Sequence, residues 1–236
     1  SIVQDLTAIN TGPGAGGSND GAAAIRILDG ANEARVLNAE MRSTSAGSVG
    51  IRNSLWVGAA NSVLIEDSTI VASGGGSLRG ILANTGSASA RLRIVDCDVD
   101  VFAGNVSTQA IGAYLLGHQD IQIIDTRLVG RGIGSSLIGL LAQGANVEVT
   151  GGSSSAAGEA GSVGSRIGLQ LVSPLFTVLR GTRVEGRGAG SLLIGIDASG
   201  NNRNGVYANA PQLAEPGAFA SGSDSAVRFD GVEVNA

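Results

Sequence analysis

A β-type run recurs along this chain at a near-constant interval. The stretch VLIEDSTIVASGGGSLRG, Val63 to Gly80, shows one copy: Val63 and Ile65 alternate with polar neighbours, Asp67-Ser68 interrupts, Ile70 and Ala72 resume, and a glycine-rich corner leads into Gly80-Ile81. Aligned on one apolar anchor, the run returns at Val3, Val36, Ile65, Ile94, Ile123, Leu179 and Val227. Five residues later in each copy stand Ala8, Met41, Ile70, Val99, Leu128, Val184 and Val232. The steps from 36 to 65, 94 and 123 are 29 residues each, and 123 to 179 spans two steps around a degenerate copy at Val147 to Val149. GRGIGSSLIGLLA from Gly130 reappears as GRGAGSLLIGIDA from Gly186, 56 residues on. A unit of this size cannot bury its own apolar face, so copies must stack to close a common core.

Two further columns divide each unit. Asp5, Asn38, Asp67, Asp96 and Asp125 each follow the anchor by two residues; Asp and Asn tolerate left-handed backbone and bond their own main chain, which marks a repeated corner. Glycine precedes an apolar residue at Gly50-Ile51, Gly80-Ile81, Gly112-Ala113, Gly139-Leu140, Gly168-Leu169, Gly195-Ile196 and Gly205-Val206. Each coil thus reads as three short strands, two tight corners and one Gly/Ser corner of variable length. Helical periodicity is absent, and Gly and Ser interrupt every window long enough for a helix. The 38 glycines and 3% aromatics argue against a core built on large rings, while 43% hydrophobic content, mostly Ala, Val, Ile and Leu, suits a narrow packed interior.

The pattern V-x-I-x-D-S-T-I-x-A, followed by a glycine-rich turn and G-I, resembles the repeat of right-handed parallel β-helices of the pectate-lyase-like superfamily. The resemblance runs from Ile2 to Val234 and implies an all-β solenoid of about 28–29 residues and three strands per coil, seven or eight coils in all. Residues 1–236 are expected to form a single domain, with an irregular outward excursion around 200–225 that holds two of the four prolines. The superfamily hosts lyases, hydrolases, epimerases, phage tailspikes and adhesins, so the resemblance implies a fold without choosing an activity.

Partners are narrowed by charge. All 15 basic residues are arginine, the net charge is −5, and no basic footprint for nucleic acid is present. The lone Cys97 leaves no disulfide framework or zinc cluster, and no apolar run is long enough for a membrane helix. SIVQDLTAIN lacks the charged and apolar regions of a signal peptide, so any such peptide is expected to have been removed or never to have existed. An extracellular or cell-surface location is expected, with self-association or an extracellular glycan as partner and neither cofactor nor metal.

Two outer surfaces are candidate sites. If Ile51, Ile81, Ala113, Leu140, Leu169 and Ile196 point inward, strand alternation turns Arg52, Leu82, Tyr114, Leu141, Gln170 and Asp197 outward, with Tyr207 continuing the row and the glycines forming a bare strip beside it. That strip predicts a docking face for a glycan, a covering loop or a partner subunit, with Tyr114 and Tyr207 as stacking platforms. The second candidate is a charge cluster: Glu40, Thr69, Asp98, Arg127 and Arg183 in one column, with Arg42, Asp100, Glu185 and Glu233 in the next. Asp98, Asp100 and Arg127 would supply acid, base and anion-binding group to a polysaccharide lyase or hydrolase if they converged in one groove. Ordinary cross-strand ion pairs are the competing reading. His118, Cys97 and the GRGIGS and GRGAGS loops lack the partners that their chemistry needs, and Asn105-Val106-Ser107 matches a glycosylation sequon, which is informative only in a secretory eukaryote. The expected function is an exported structural or interaction protein for adhesion or fibre assembly; the alternatives are a polysaccharide-active enzyme and a non-catalytic carbohydrate-binding β-helix.

Overall fold

The computed structural model describes residues 1–11, 22–27, 33–44, 50–58, 62–84, 91–117, 120–144, 146–172, 176–199, 206–209, 218–221, 227–230 and 233–235. Every pairing among them is parallel, and the strands form three sheets of nine, eight and eight strands. Ser62–Glu66 lies in the first sheet, Thr69–Gly74 in the second and Ser77–Asn84 in the third. The chain then returns at Arg91–Val95 beside Ser62–Glu66, one coil on. This is the right-handed parallel β-helix that the repeat implies, with three strands per coil.

The interior is one continuous cluster. Val36, Ile65, Ile94, Ile123, Val149 and Leu179 supply it from the first sheet. Met41, Ile70, Val99, Leu128 and Val184 supply it from the second, and Leu55, Ile81, Ala113, Leu140, Leu169 and Ile196 from the third. Each buried aliphatic side chain contributes about 1.5–3 kcal/mol on leaving water. The narrow tube has no room for large rings, which explains the Ala/Val/Ile/Leu bias.

The first corner has a fixed form. Asp5, Asn38, Asp67, Asp96 and Asp125 all adopt φ between 47 and 51°, and Gly151 and Gly181 take the same place at 66 and 59°. In four coils the next residue, Ser68, Cys97, Thr126 or Thr182, is buried, and its hydroxyl or thiol donates to backbone. Ser68 Oγ bonds Glu66 O at 2.8 Å, Thr126 Oγ1 bonds Ile124 O at 2.9 Å, and Cys97 Sγ bonds Val95 O at 3.2 Å. Small donors are selected because they satisfy corner carbonyls inside the core.

Only this corner is constant. The second runs from Gly74 directly to Ser77 in one coil but from Gly158 to Ser165 in another, and the third varies in the same way. The expected second tight corner is therefore not found.

Three register assignments also shift. Arg52 pairs with Leu78, not Leu82, so it faces inward and is buried, and Trp56 takes the place opposite Leu82. In the last coil Phe229 pairs with Leu179 and Val234 with Val184, two residues beyond Val227 and Val232. Glu233 accordingly joins the column of Arg183. Val206–Asn209 belongs to the first sheet, where Tyr207 pairs with Val178, so Tyr207 does not continue the third-sheet row. Most of the 200–225 excursion and His118 lie outside the described residues.

Candidate functional site

On the third sheet the glycine strip is internal. A Cβ added at Gly80 would meet the Val99 and Val101 side chains, and one at Gly112, Gly139 or Gly168 would meet the backbone of Val129, Ser155 or Glu185 in the second sheet. The reason is a repeated irregularity. Ile111 pairs with Ile138 and Ala113 with Leu140, but the glycine between them is skipped, so two successive residues face the core. Ile111 and Tyr114, three apart, both face outward as a result. Ser54 occupies the equivalent place earlier and donates its hydroxyl to Val71 O at 2.5 Å.

The outer row of this sheet is consequently double. Trp56, Leu82, Tyr114, Leu141, Gln170 and Asp197 follow one another in register, beside Asn53, Arg79, Ile111, Ile138 and Ile167. Leu82 is fully buried, and Tyr114 and Leu141, both half-buried, pack on Ile111, Ile138 and Ile167. Gln170 Nε2 donates to Asp197 Oδ2 at 3.1 Å. Leu82, predicted as an exposed docking residue, is not accessible to a glycan. An isoleucine directly before the glycine in four coils, Ile111, Ile138, Ile167 and Ile194, was the signal for the missed column.

On the second sheet Asp98 and Arg127 are register partners and form an ion pair at 2.5 Å. Asp100 is held by a different arginine: Arg131 Nε lies 2.8 and 3.1 Å from its two oxygens, with the guanidinium 5.0 Å from the Phe102 ring centre. Hydrogen bonding to Asp100 raises the Arg131 pKa, and burial offsets this in part. A small trough of about 210 Å³ opens over Ser153, Ser155 and Ala157, walled by Arg127 and Arg131 on one side and Arg183 and Arg187 on the other. Asp98 and Asp100 do not line it, and the three residues of the predicted catalytic set are split between two ion pairs. Exposed pairs of this kind contribute about 0.2–1 kcal/mol each.

A larger opening lies on the first sheet, where sequence reasoning placed nothing. A groove of about 600 Å³ crosses the strands Arg91–Val95, Asp120–Ile124 and Asn146–Thr150 and reaches Val178 and Arg180. Register stacks Arg91, Asp120 and Asn146 along one line and Arg93, Gln122, Glu148 and Val178 along the next. Asp120 accepts from Asn146 Nδ2 at 3.5 Å and lies 3.7 Å from Arg91 Nε, and Glu148 pairs with Arg180. Among the described residues Arg93 and Gln122 form no side-chain hydrogen bond or ion pair. They point into the groove with their donors and acceptors open. The signal available in the sequence was polar residues alternating with the core anchors at 91, 93, 120, 122, 146 and 148.

No family model, curated protein or solved structure matches this chain. Its chemistry must therefore be read from its own surfaces. Among the described residues no group of three or more His, Cys, Asp and Glu could hold a metal ion, and no helix is long and apolar enough to cross a membrane.

Proposed function

We propose that this chain is an interaction protein of the cell exterior whose first sheet holds an extended glycan without transforming it. The observation that carries this reading is the open groove of about 600 Å³ with Arg93 and Gln122 unpartnered on its floor. Sugar hydroxyls both donate and accept, and Gln122, Asn146, Asp120 and Glu148 offer both kinds of atom beside the donor Arg93. Strands in a sheet recur about every 4.8 Å. Equivalent side chains therefore repeat along the helix axis at an interval comparable with one sugar ring, which favours a polymer over a small solute. Adhesion to such a polymer is the form of the interaction role that the groove favours over fibre assembly.

Affinity electrophoresis of the purified chain through gels containing individual neutral and acidic polysaccharides tests the proposal. Retardation by at least one polymer is expected, with the dissociation constant rising at least tenfold in Arg93→Ala/Gln122→Ala. Migration unchanged in every gel would remove the reading. Release of new reducing ends or unsaturated products, abolished by Asp98→Asn, would establish the enzymatic alternative instead.

A further inference from the structure

The outer face of the third sheet holds a group of polar atoms that the protein itself leaves unanswered. Asn53 is fully buried, Arg79 is 5% exposed and Trp56 is 7% exposed. Asn53 Nδ2 and Oδ1, Arg79 Nε and Nη1, and Trp56 Nε1 have no hydrogen-bond partner. Buried polar atoms are almost always paired, and an uncompensated buried guanidinium is among the most unfavourable of them.

These three side chains are neighbours by register. Asn53 pairs with Arg79, and Trp56 pairs with Leu82, three residues beyond Arg79 on the same strand. Leu82 in turn pairs with Tyr114. The orphaned atoms are thus grouped, by register, around the buried side chain of Leu82. Two guanidiniums are held flat against rings at this place, Arg79 at 4.7 Å over Tyr114 and Arg26 at 4.5 Å over Trp56. Stacking of this kind fixes the direction in which their N–H groups point.

The charge is one-sided. The third-sheet strands Ala22–Ile27, Ile51–Val57, Ser77–Asn84, Gln109–Leu116, Ser136–Gln143 and Ser165–Val172 carry no Asp or Glu. The sheet's first described carboxylate is Asp197, which is engaged with Gln170. Burial lowers the Arg79 pKa, with a smaller opposing effect from Tyr114. An anion seated here would reverse that effect. Arg26 is exposed and marks the side open to solvent.

From this geometry we propose an anion-binding site between Asn53, Trp56 and Arg79 for a small hydroxy-carboxylate. Four of the five orphaned atoms are donors and one, Asn53 Oδ1, is an acceptor. The complement is a ligand with a negative charge, two or more acceptor oxygens and at least one hydroxyl to donate. The site is on a different sheet from the glycan groove, and neither depends on the other.

The test uses the chain's single tryptophan, which is Trp56 itself. Trp56 emission is followed during titration with lactate, gluconate, acetate, glycerol and inorganic phosphate at constant ionic strength. A saturable change with lactate or gluconate is expected, at least tenfold weaker with acetate, which lacks the hydroxyl, and absent with glycerol, which lacks the charge. Arg79→Gln should weaken the hydroxy-carboxylate response at least tenfold. If that variant does not fold, Asn53→Leu takes its place with the same expectation, its fold checked by circular dichroism. The indole N–H resonance of the wild-type protein should shift along the same binding curve. No saturable response to lactate or gluconate would overturn the proposal, as would an equal response to phosphate or retention of binding in the folded variant.

Discussion

Arg166 Nε donates to the carbonyl oxygen of Ala189 at 2.9 Å, across a coil boundary. Nη2 of the same guanidinium reaches Gly134 O in the preceding coil at 3.1 Å, and Nη1 bonds Ser165 O at 2.6 Å within its own. Arg166 therefore ties three consecutive coils together at the second corner. It is fully buried, in a column where its register partners are Leu137 and Leu193. Glycines make the room: a Cβ on Gly158 or Gly190 would collide with the Arg166 side chain. Desolvation lowers the Arg166 pKa, and carbonyl dipoles stand in for the missing carboxylate.

Arg166→Ala is expected to destabilise the protein by about 3 kcal/mol, because it leaves both a cavity and unpaired carbonyls. Arg166→Leu should lose less, since it restores the aliphatic column while abandoning only the hydrogen bonds. Urea unfolding midpoints of the two variants check the order, and equal losses would contradict it.

The inward glycines of the third sheet should be intolerant of a single methyl group. At Gly139 a Cβ would press on Ser155 N, the Gly168 carbonyl and Ser154 Oγ, so relief requires moving backbone. Gly139→Ala is expected to lower stability by about 2–4 kcal/mol. Gly144 has open space around its Cβ position, and its only penalty is φ of +62°. Gly144→Ala should therefore lose only about 1 kcal/mol. Thermal melts of the pair make the comparison.

At the first corner, Asp96 sits at φ 50° where Gly151 and Gly181 sit two and three coils on. Asp96→Gly should be nearly neutral, and Asp96→Val should lose about 1–2 kcal/mol through left-handed strain. Equal melting temperatures for the two variants would show that the corner tolerates branched side chains.

Cys97 gives the chain a defined alkaline weakness. Burial pushes its thiol from 9.0 up to about 11, against smaller lowering by backbone hydrogen bonds at Ser68 and Val95. Below pH 9 the thiol is protonated in both folded and unfolded chains and stability does not depend on it. Between pH 9 and about 11 only the unfolded chain ionises, so stability falls as pH rises, and Cys97→Ser should remove that part of the slope. At pH 8 the native thiol should react with a disulfide reagent at least tenfold more slowly than in urea-unfolded protein.

The parts of the fold legible in the sequence are those where local chemistry and tertiary structure agree. Asp67 and its equivalents announced left-handed corners, and left-handed backbone is what they adopt. Ile81, Ala113 and Leu140 were assigned inward, and all three are in the core. The outer faces were harder to read because strict alternation fails at one place in each third-sheet strand from Ala22–Ile27 to Leu192–Ser199. Once Gly112 and Ala113 both turn inward, glycine stops being a surface feature, and Ile111 with Arg79 appears on the outside unannounced. Arg52 was misplaced for a related reason: Gly50-Ile51 imitates Gly80-Ile81, but the true partner of Ile81 is Leu55. The groove on the first sheet was overlooked because its residues are ordinary polar alternates, and only stacking by register turns Arg93 and Gln122 into neighbours.

The constancy of the first corner, set against the variation of the other two, has a consequence for how such a chain can change. From Asp5 to Gly181 the same two-residue bend returns in the described coils, and each bend re-establishes which side chains of the following strand face inward. The second and third corners differ in length from coil to coil, yet the strands of the first and second sheets keep their register through the stack. Two edges of the prism vary in length while the third keeps time for the whole stack.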